Sequence, residues 1–536
     1  MAVSLVASAA NAQGPLSEPF PPVLDAADLH AGLGVRLPGP VAGERLGIAV
    51  GGAVDLNGDG LDDLLIGADF ASPSGRDLAG STYVVFGDPG LPAVFDVASL
   101  DGSNGVRIDG ADTFDQSGSA VAGAGDVNGD GFGDIVVGAP WAYARGAPYG
   151  GEAAIVFGRD GGFDPTFDIG SIDGVNGFVV RGWDFYERTG RAVSGAGDFN
   201  GDGLDDVAVG SPDVYYFSGT RDGGEAYVVF GRDGAFPSAN PLRGLGTQGL
   251  RLNGQIDRGK CGDGLAGVGD VNGDGIDDVL VGSSGTSRAY LLFGRDDGGL
   301  PFSLNADDLD GSNGVTLVGA RSHVSGADDF DGDGVNDFLV ARGGGPAWIV
   351  FGSRDGFPAQ INLDGPTAGV ATRLEGSPVT SVAGVGDVNG DGAPDVAITG
   401  SADTAYVVYG TTSSGTRPES IALPDLDGVE GFVIRGGGDA VAAAGDVNGD
   451  GAADIVLGNG EASPDGRNRA GSAVVIYGRR SCRADFDGDG ELTLFDFLAF
   501  QNAFDAGEDR ADFDGDGELT LFDFLAFQNA FDAGCR

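Results

Sequence analysis

The sequence predicts a mainly β protein in which seven four-stranded sheets close into a ring, a seven-bladed β-propeller, followed by a small α-helical domain. Three observations carry this prediction. One acidic nine-residue motif occurs seven times, a short apolar segment follows each copy, and the next apolar segment ends in an aromatic-glycine pair. Glycine accounts for 102 of 536 residues, which fits short strands joined by tight turns and excludes a mostly helical chain.

The repeated motif is Asp-x-Asn/Asp-Gly-Asp-Gly-x-x-Asp. Its copies start at Asp55, Asp126, Asp198, Asp270, Asp329, Asp387 and Asp446. The spacings are 71, 72, 72, 59, 58 and 59 residues, and each interval contains short apolar segments separated by Gly-rich turns. Because this unit is longer than a common solenoid repeat, it favours propeller blades with extended loops.

Closure of the ring is predicted from the outermost strands. These strands begin near Val35, Val106, Phe178, Leu250, Val315, Ala371 and Val433. The first stands ahead of the first motif, and no equivalent follows the last motif. We therefore expect the segment 34–37 to complete the seventh blade, which removes the open edge of a linear array.

The aromatic-glycine pairs complete the repeat. They are Phe86-Gly87, Phe157-Gly158, Phe230-Gly231, Phe293-Gly294, Phe351-Gly352, Tyr409-Gly410 and Tyr477-Gly478. Together with Gly138-Ala139-Pro140 and the acidic loops, they resemble FG-GAP repeats, the units of the integrin α-subunit propeller and its bacterial relatives. The resemblance places the propeller at residues 30–478, although the fifth and seventh blades lack the Gly-Ala-Pro part.

The acidic motif predicts a calcium site in every blade. Positions 1, 3, 5 and 9 offer side-chain oxygens, position 7 offers its carbonyl, and glycine at position 6 permits the sharp turn seen in EF-hand loops. Cys and His are absent from the motif, which argues against zinc and copper. The alternative is a set of Asx turns that cap hairpins without an ion. The predicted ligands are Asp55, Asn57, Asp59, Leu61, Asp63; Asp126, Asn128, Asp130, Phe132, Asp134; Asp198, Asn200, Asp202, Leu204, Asp206; Asp270, Asn272, Asp274, Ile276, Asp278; Asp329, Asp331, Asp333, Val335, Asp337; Asp387, Asn389, Asp391, Ala393, Asp395; and Asp446, Asn448, Asp450, Ala452, Asp454.

A second module is predicted at residues 482–536, after a short linker at 479–481. Residues 483–507 recur without change as 510–534, and each copy contains a 12-residue acidic loop followed by an amphipathic helix. The predicted ligands are Asp485, Asp487, Asp489, Glu491, Asp496 and Asp512, Asp514, Asp516, Glu518, Asp523. The loop-helix pairs resemble a dockerin, and the terminal Gly534-Cys535 resembles the GC-type dockerin module of exported bacterial proteins.

This resemblance implies a cohesin-like or surface partner for the module. Leu494-Phe495 and Leu521-Phe522 replace the small polar pair that is common in cellulosomal dockerins, which argues against an ordinary cellulosomal cohesin. Because dockerin-like pairs are pseudo-symmetric, their ends can lie close, and we expect a Cys482–Cys535 disulfide. The alternatives are two free thiols, or a Cys535 that is modified during surface attachment.

Composition bounds the cellular context. The net charge of −51 repels phosphate backbones, so nucleic acid is a poor partner. Residues 1–12 read as part of a secretory signal, with 13–29 as a lead segment. Seven propeller ions and two in the tail make about nine calcium ions, and loops tuned to roughly 0.1–1 mM calcium fill outside the cytoplasm. We therefore expect a secreted or surface protein of a bacterium, with no transmembrane segment.

A ligand face is predicted from loop lengths. The first motif aspartate and the aromatic-glycine pair are farthest apart in blades 7, 1, 2 and 3, which neighbour one another in the ring. Their loops on the face opposite the calcium motifs hold the aromatic residues Trp141, Tyr143, Tyr149, Trp183, Phe185, Tyr186, Tyr215, Tyr216 and Phe217. Such a cluster fits a protein or glycan ligand. Alternatively, these rings pack on each other and order the loops.

These features predict a calcium-dependent recognition or adhesion protein whose tail docks to a surface or complex. A structural spacer is the second interpretation. A polysaccharide-degrading enzyme on a propeller scaffold is the third, but no nucleophile–base pair, phosphate loop or catalytic histidine is visible, so we expect no enzymatic activity.

Overall fold

The computed structural model describes residues 20–30, 32–144, 146–214, 223–296, 301–412, 417–479, 484, 486, 493–506, 511, 513 and 519–533. The chain divides into two compact units, one formed by 21–478 and the other by 1–20 with 479–536. The larger unit is a seven-bladed β-propeller, as the repeats predict, and each blade is an antiparallel sheet of four strands.

The strands of each blade follow in chain order from the axis outward. The innermost strands are Val50–Gly51, Ala120–Gly125, Val193–Gly197, Cys261–Gly269, His323–Asp328, Val379–Gly386 and Ala440–Gly445. The second strands are Leu64–Ala68, Asp134–Ala139, Asp206–Ser211, Asp278–Ser283, Asp337–Ala341, Asp395–Gly400 and Asp454–Asn459. The third strands are Ser81–Val85, Glu152–Val156, Glu225–Val229, Arg288–Leu292, Ala347–Val350, Thr404–Val408 and Ser472–Ile476. The fourth strands are Gly105–Asp109, Gly177–Arg181, Gly249–Asn253, Gly314–Val318, Ala371–Glu375, Gly431–Arg435 and, for blade 7, Gly34–Pro38.

The hydrophobic core lies between neighbouring blades. The second strand of blade 2 is a continuous apolar run, Ile135-Val136-Val137, and it is buried on both faces. Val136 shares one cluster with Val207 and Tyr227 of blade 3. A strand covered on both sides needs no polar alternation, so these segments read as unbroken Val and Ile runs.

The N-terminal strand closes the ring, which confirms the prediction. Gly34–Pro38 pairs antiparallel with Ser472–Ile476, and Val35 lies opposite Val475. Val35 and Leu37 are buried in the cluster shared by blades 7 and 1. The third strand of blade 7 therefore has no free edge along these residues.

A fifth short strand, absent from the sequence prediction, pairs in parallel with the fourth strand of six blades. These strands are Thr166–Asp168, Ala239–Pro241, Leu304–Asn305, Gln360–Asn362, Ser420–Ala422 and Val23–Asp25. Each belongs to the following blade, where it lies just ahead of that blade's fourth strand. Val23–Asp25, within the segment 13–29, pairs with Val433–Arg435 of blade 6. In blade 7, a single parallel bridge joins Arg36 to Val94 in the corresponding place.

The long connections between the second and third strands lie in the blades that the sequence spacing predicts. Residues 69–80, 140–151, 212–224 and 460–471 join the second and third strands of blades 1, 2, 3 and 7, whereas 284–287, 342–346 and 401–403 suffice in blades 4, 5 and 6. Isolated bridges tie each long connection to the loop entering the next blade. They are Gly80–Ser117, Gly151–Thr189, Gly224–Cys261 and Gly471–Leu46.

The smaller unit contains the two predicted helices, α1 (Leu494–Ala506) and α2 (Leu521–Ala533). Phe500 and Phe527 stack at its centre with ring centroids 4.2 Å apart. The predicted Cys482–Cys535 disulfide, the signal segment 1–12 and most of the two acidic loops lie outside the described residues. In the part of the chain that is described, no helix is long and apolar enough to cross a membrane.

Candidate calcium loops and recognition face

All seven acidic motifs lie at one end of the propeller. In blade 2 the innermost strand ends at Gly125, the motif spans 126–134, and the second strand starts at Asp134. The pairing register shifts between Gly123 and Gly125, so the strand bends into the loop through a β-bulge. We call this end the calcium-loop face and the other end the opposite face.

The first aspartate of the motif anchors the loop backbone. In blade 2 the Asp126 Oδ1 atom accepts hydrogen bonds from the N–H groups of Gly129 (2.7 Å) and Asp130 (3.0 Å), and Oδ2 accepts one from Gly131 (2.8 Å). Blades 1 and 4 repeat all three bonds around Asp55 and Asp270. This network wraps the loop backbone around the side chain of its first aspartate.

The ninth aspartate closes the loop from below. The buried Asp134 carboxylate accepts the N–H of Val127 at 3.0 Å and the N–H of Gly158 at 2.9 Å. Gly158 is the glycine of the aromatic-glycine pair. A Cβ atom there would lie 2.3 Å from the carbonyl oxygen of Gly133, so only glycine fits. The aromatic-glycine pair therefore supports the acidic loop, a link that the sequence pattern alone does not show.

The electrostatics of the loops favour a divalent cation. Burial raises the pKa of Asp134 to about 8, and repulsion from Asp130 and Asp126 adds to the effect. The pKa is likewise raised to about 8 for Asp63, Asp206, Asp278, Asp337 and Asp395. A cation among these oxygens would offset both the burial and the repulsion.

Two further observations fit a bound ion. The buried Asp206 Oδ2 atom has no hydrogen-bond partner, and the same holds for Asp331 Oδ1. In blade 5, oxygens of Asp329, Asp331 and Asp333 lie within 4.8 Å of one another. The donor set consists of carboxylate, amide and carbonyl oxygens, which suits calcium better than a softer metal.

In the C-terminal unit, only the last predicted ligand of each loop is described. Asp496 and Asp523 are both buried at the start of their helices. Asp523 accepts the N–H of Phe513 at 2.7 Å and that of Thr520 at 2.6 Å, which resembles the closing bonds of the propeller loops. The other predicted ligands, Asp485, Asp487, Asp489, Glu491, Asp512, Asp514, Asp516 and Glu518, lie outside the described residues.

On the opposite face, three predicted aromatic residues come into contact. The Trp141 and Tyr149 ring centroids are 5.5 Å apart, and those of Tyr149 and Tyr186 are 5.2 Å apart. The Arg188 guanidinium lies 4.4 Å from the centroid of Trp141. This contact joins the long connection of blade 2 to the loop entering blade 3.

Other aromatic residues of the same loops face solvent. Tyr143, Phe185 and Trp183 are 62%, 57% and 46% exposed. We call these three residues, together with Tyr149 and Tyr186, the aromatic patch. Tyr215, Tyr216 and Phe217 lie outside the described residues.

A buried carboxylate supports the loop that carries Trp183. Glu187 accepts the N–H of Trp183 at 2.6 Å, and its other oxygen lies 3.3 Å from Arg243. Burial raises the pKa of Glu187, whereas the Trp183 hydrogen bond and the Arg243 charge favour its ionised form. The loop is therefore fixed from beneath rather than held by the aromatic rings alone.

Of the sixteen non-glycine residues with left-handed backbone in the described part of the chain, seven lie in the loops that enter blades 1 to 4. The residues concerned are Arg45, Phe114, Gln116, Tyr186, Arg188, Arg258 and Lys260. Such conformations cost about 1–3 kcal/mol each and cluster at binding sites. The strained loops coincide with the sector that has the long connections.

A cavity of about 260 Å³ at the propeller axis was not predicted from the sequence. Each blade contributes the start of its innermost strand to the lining, and Arg191, His323 and Ser381 supply polar groups. Burial lowers the pKa of His323. No sequence motif marks His323, and it lies at the axis because the seven blades close into a ring.

The family comparisons agree with this architecture. A model described as "FG-GAP repeat" matches residues 46–85, 117–156 and 189–229, and one described as "FG-GAP-like repeat" matches 387–457. The chain therefore contains FG-GAP repeats, and its larger unit is a seven-bladed propeller.

Three relatives illustrate the similarity. Integrin alpha pat-2 of Caenorhabditis elegans is 31% identical over 250 residues, which cover 44% of this chain and 18% of that protein. Integrin alpha-E of Mus musculus is 36% identical over 181 residues, 32% of this chain and 14% of that protein. Phosphatidylinositol-glycan-specific phospholipase D of Bos taurus is 30% identical over 230 residues, 42% of this chain and 26% of that protein. The chain thus spans only a minor part of each of these relatives.

One solved structure, titled "Crystal structure of BBS1N in complex with ARL6DN, soaked with lead", aligns with a TM-score of 0.39 and 9% identity. The alignment covers 79% of this chain and 90% of that chain.

Proposed function

We propose that this chain is an exported calcium-binding recognition or adhesion protein without enzymatic activity. The propeller holds one calcium ion in each blade and binds a protein or glycan ligand on its opposite face. The tail holds two further ions and docks the protein to a surface or complex. The similarity to integrin α-subunits supports a recognition role for the propeller.

The aromatic patch is the single observation that carries ligand binding. Packing between rings accounts for Trp141 and Tyr149, but it leaves Tyr143, Phe185 and Tyr186 more than half exposed. Exposed rings on loops that are fixed from beneath lose little entropy when they bind, so they suit sugar faces or a protein surface.

A Trp183→Ala/Phe185→Ala double variant tests the patch. We expect it to lose at least about tenfold in affinity on a glycan array or against an immobilised exported-protein fraction, because hot-spot aromatics contribute about 2 kcal/mol or more. Val175→Ala is the matched control, since Val175 is 81% exposed in a turn on the calcium-loop face. Equal binding by both variants contradicts the patch, and no binding by the wild type favours a structural spacer.

The tail presents exposed apolar residues in two matching sets. Leu494, Phe495 and Leu498 on α1 correspond to Leu521, Phe522 and Leu525 on α2, with nearly equal exposure. We propose that these residues dock a cohesin-like protein. A Phe495→Ser/Phe522→Ser variant of the full chain should lose the partner that the wild type captures from the exported fraction, whereas a Leu494→Met/Leu521→Met variant should keep it.

The similarity to a phospholipase makes lipid hydrolysis the competing activity. We expect the purified chain to release no product from glycosyl-phosphatidylinositol substrates in calcium-containing buffer. Turnover above a buffer blank that is lost on substitution of a propeller residue would contradict the proposed binding role.

A further inference from the structure

A carboxylate outside the predicted ligand sets joins neighbouring calcium loops. It belongs to the eighth residue of the motif, immediately before the ninth-position ligand, in blades 1, 3 and 4. Each accepts the backbone N–H of the first ligand of the preceding blade. The bonds are Asp446 N–H to Asp62 at 2.9 Å, Asp126 N–H to Asp205 at 2.7 Å, and Asp198 N–H to Asp277 at 2.9 Å.

Two of these contacts are reciprocal. The Asp205 N–H donates to the carbonyl oxygen of Asp126 at 3.3 Å, and the Asp62 N–H donates to that of Asp446 at 3.4 Å. We call each of the three carboxylate contacts between neighbouring loops a clasp. Because the acceptor is a carboxylate, the bond from the first ligand belongs to the stronger class of protein hydrogen bonds.

In each clasped loop, the residue before the first ligand is a glycine with left-handed backbone. Gly125, Gly197 and Gly445 precede the clasped first ligands, and each has a positive φ, of 72°, 61° and 73°. A Cβ atom at these glycines would fall 2.1–2.2 Å from the clasping carboxylate oxygen. Only glycine therefore admits the aspartate of the next blade.

In blades without a clasp, either the glycine before the first ligand or the facing aspartate is missing. Val54 precedes the first ligand of blade 1, and the facing eighth residue is Gly133, where a Cβ atom would lie 2.6 Å from the Val54 side chain. In blade 6, Gly386 leaves the space open, but the facing residue is Ala453. In blade 4, Gly269 faces Asn336 rather than an aspartate, and a Cβ atom at Gly269 would lie 2.2 Å from the Asn336 side-chain nitrogen. In the seven motifs of the described propeller, a clasp therefore forms where a glycine before the first ligand faces an aspartate.

We propose that Asp62, Asp205 and Asp277 are positioning residues that tie the calcium affinity of one loop to its neighbour. Asp205 directly precedes Asp206, the ninth-position ligand of its own loop. An ion held by Asp206 fixes Asp205, which in turn holds the backbone of Asp126, the anchor of the loop in the preceding blade. This inference rests on the proposed calcium binding and adds a direction of coupling around the ring.

Hydrogen exchange read by mass spectrometry tests the clasps on the full chain. Protection of the peptides that contain 126–134 and 446–454 is followed across a calcium titration. Asp205→Asn should raise the calcium midpoint of 126–134 about tenfold and leave 446–454 unchanged, because a neutral acceptor weakens the bond. Asp62→Asn should do the reverse, so each variant is the matched control of the other.

A gain-of-function variant keeps the test independent of folding losses. A Cβ atom built on Gly386 lies only 2.7 Å from the Ala453 Cβ atom, so Ala453→Asp places a carboxylate beside Asp387. We expect a lower calcium midpoint for the loop 387–395. Midpoints within twofold of wild type in all three variants overturn the clasp. If calcium does not change the protection of the wild-type loops, the proposed calcium binding is wrong, and the clasp proposal falls with it.

Discussion

The glycine of each aromatic-glycine pair contributes its N–H rather than its flexibility. The Gly158 N–H holds the carboxylate of Asp134, and a Cβ atom would meet the Gly133 and Leu56 carbonyl oxygens. We expect Gly158→Ala to lower the free energy of unfolding by about 2–4 kcal/mol, because backbone must move in a packed region. Denaturant unfolding measures this loss.

Gly365→Ala is the control for that substitution. Its nearest neighbour would lie 3.4 Å from the new Cβ atom, and its φ is not left-handed. We expect a change within about 0.5 kcal/mol. Equal losses in the two variants would mean that the aromatic-glycine pair has no special role in the loop.

Asp115, in the strained loop that enters blade 2, makes the stability of the folded state depend on pH. Burial raises the pKa of Asp115 to about 7, and the Glu152 charge adds to the shift. The folded state therefore binds a proton that the unfolded state releases near its ordinary pKa of 3.8, so stability falls as pH rises from about 4 to 7.

Asp115→Asn removes the charge and keeps an acceptor for the Asp112 N–H, which lies 2.8 Å from the carboxylate. We expect the variant to be about 1–3 kcal/mol more stable than wild type at pH 8 and equal to it near pH 4.5. Urea unfolding at both pH values, at fixed calcium, measures the difference. The exposed Asp112→Asn should change little at either pH, and a stabilisation independent of pH would contradict this assignment.

At the scale of single elements, the strand Gly34–Pro38 closes the ring. Leu37 is fully buried between blades 7 and 1. Leu37→Ala should lower the free energy of unfolding by about 2–5 kcal/mol and increase cleavage by protease in blade 7. The exposed Arg435→Ala, on the fourth strand of blade 6, should be neutral. An unchanged protease pattern in Leu37→Ala would contradict closure by this strand.

The elements that repeat were predictable, and those that depend on neighbours were not. Seven copies in one phase predict the four strands of each blade, and the displaced segment 34–37 predicts closure. The fifth strands are short and pair in parallel with a different blade, so no local alternation marks them. Likewise, the clasp of Asp205 on Asp126 and the axial position of His323 arise from contacts between blades. The aromatic patch was predicted by loop length, but its division into packed and exposed rings depends on side-chain geometry.

At the scale of the whole molecule, the ring has two different ends. The calcium-loop face repeats one design seven times, whereas the opposite face is elaborated only in blades 7, 1, 2 and 3. The long connections and the aromatic patch lie in this sector, together with most of the non-glycine residues that have left-handed backbone. A uniform end suits support of the scaffold, and a varied end suits selection of a ligand.

Because the chain is strongly acidic, removal of calcium is a direct test of whether bound ions stabilise the folded protein. Nine calcium ions would bring the net charge from −51 to −33, and 32 of the 81 acidic residues are predicted ligands. Each site filled at ten times its Kd adds about 1.4 kcal/mol of stability, so chelation should lower the Tm by roughly 10 °C or more. Scanning calorimetry with and without chelator measures the shift. Sodium chloride at 0.5 M screens general repulsion and should restore only part of it, whereas excess calcium at the same ionic strength should restore all of it. Full recovery in sodium chloride alone would show that self-repulsion, rather than ions held in the loops, governs the stability of the propeller.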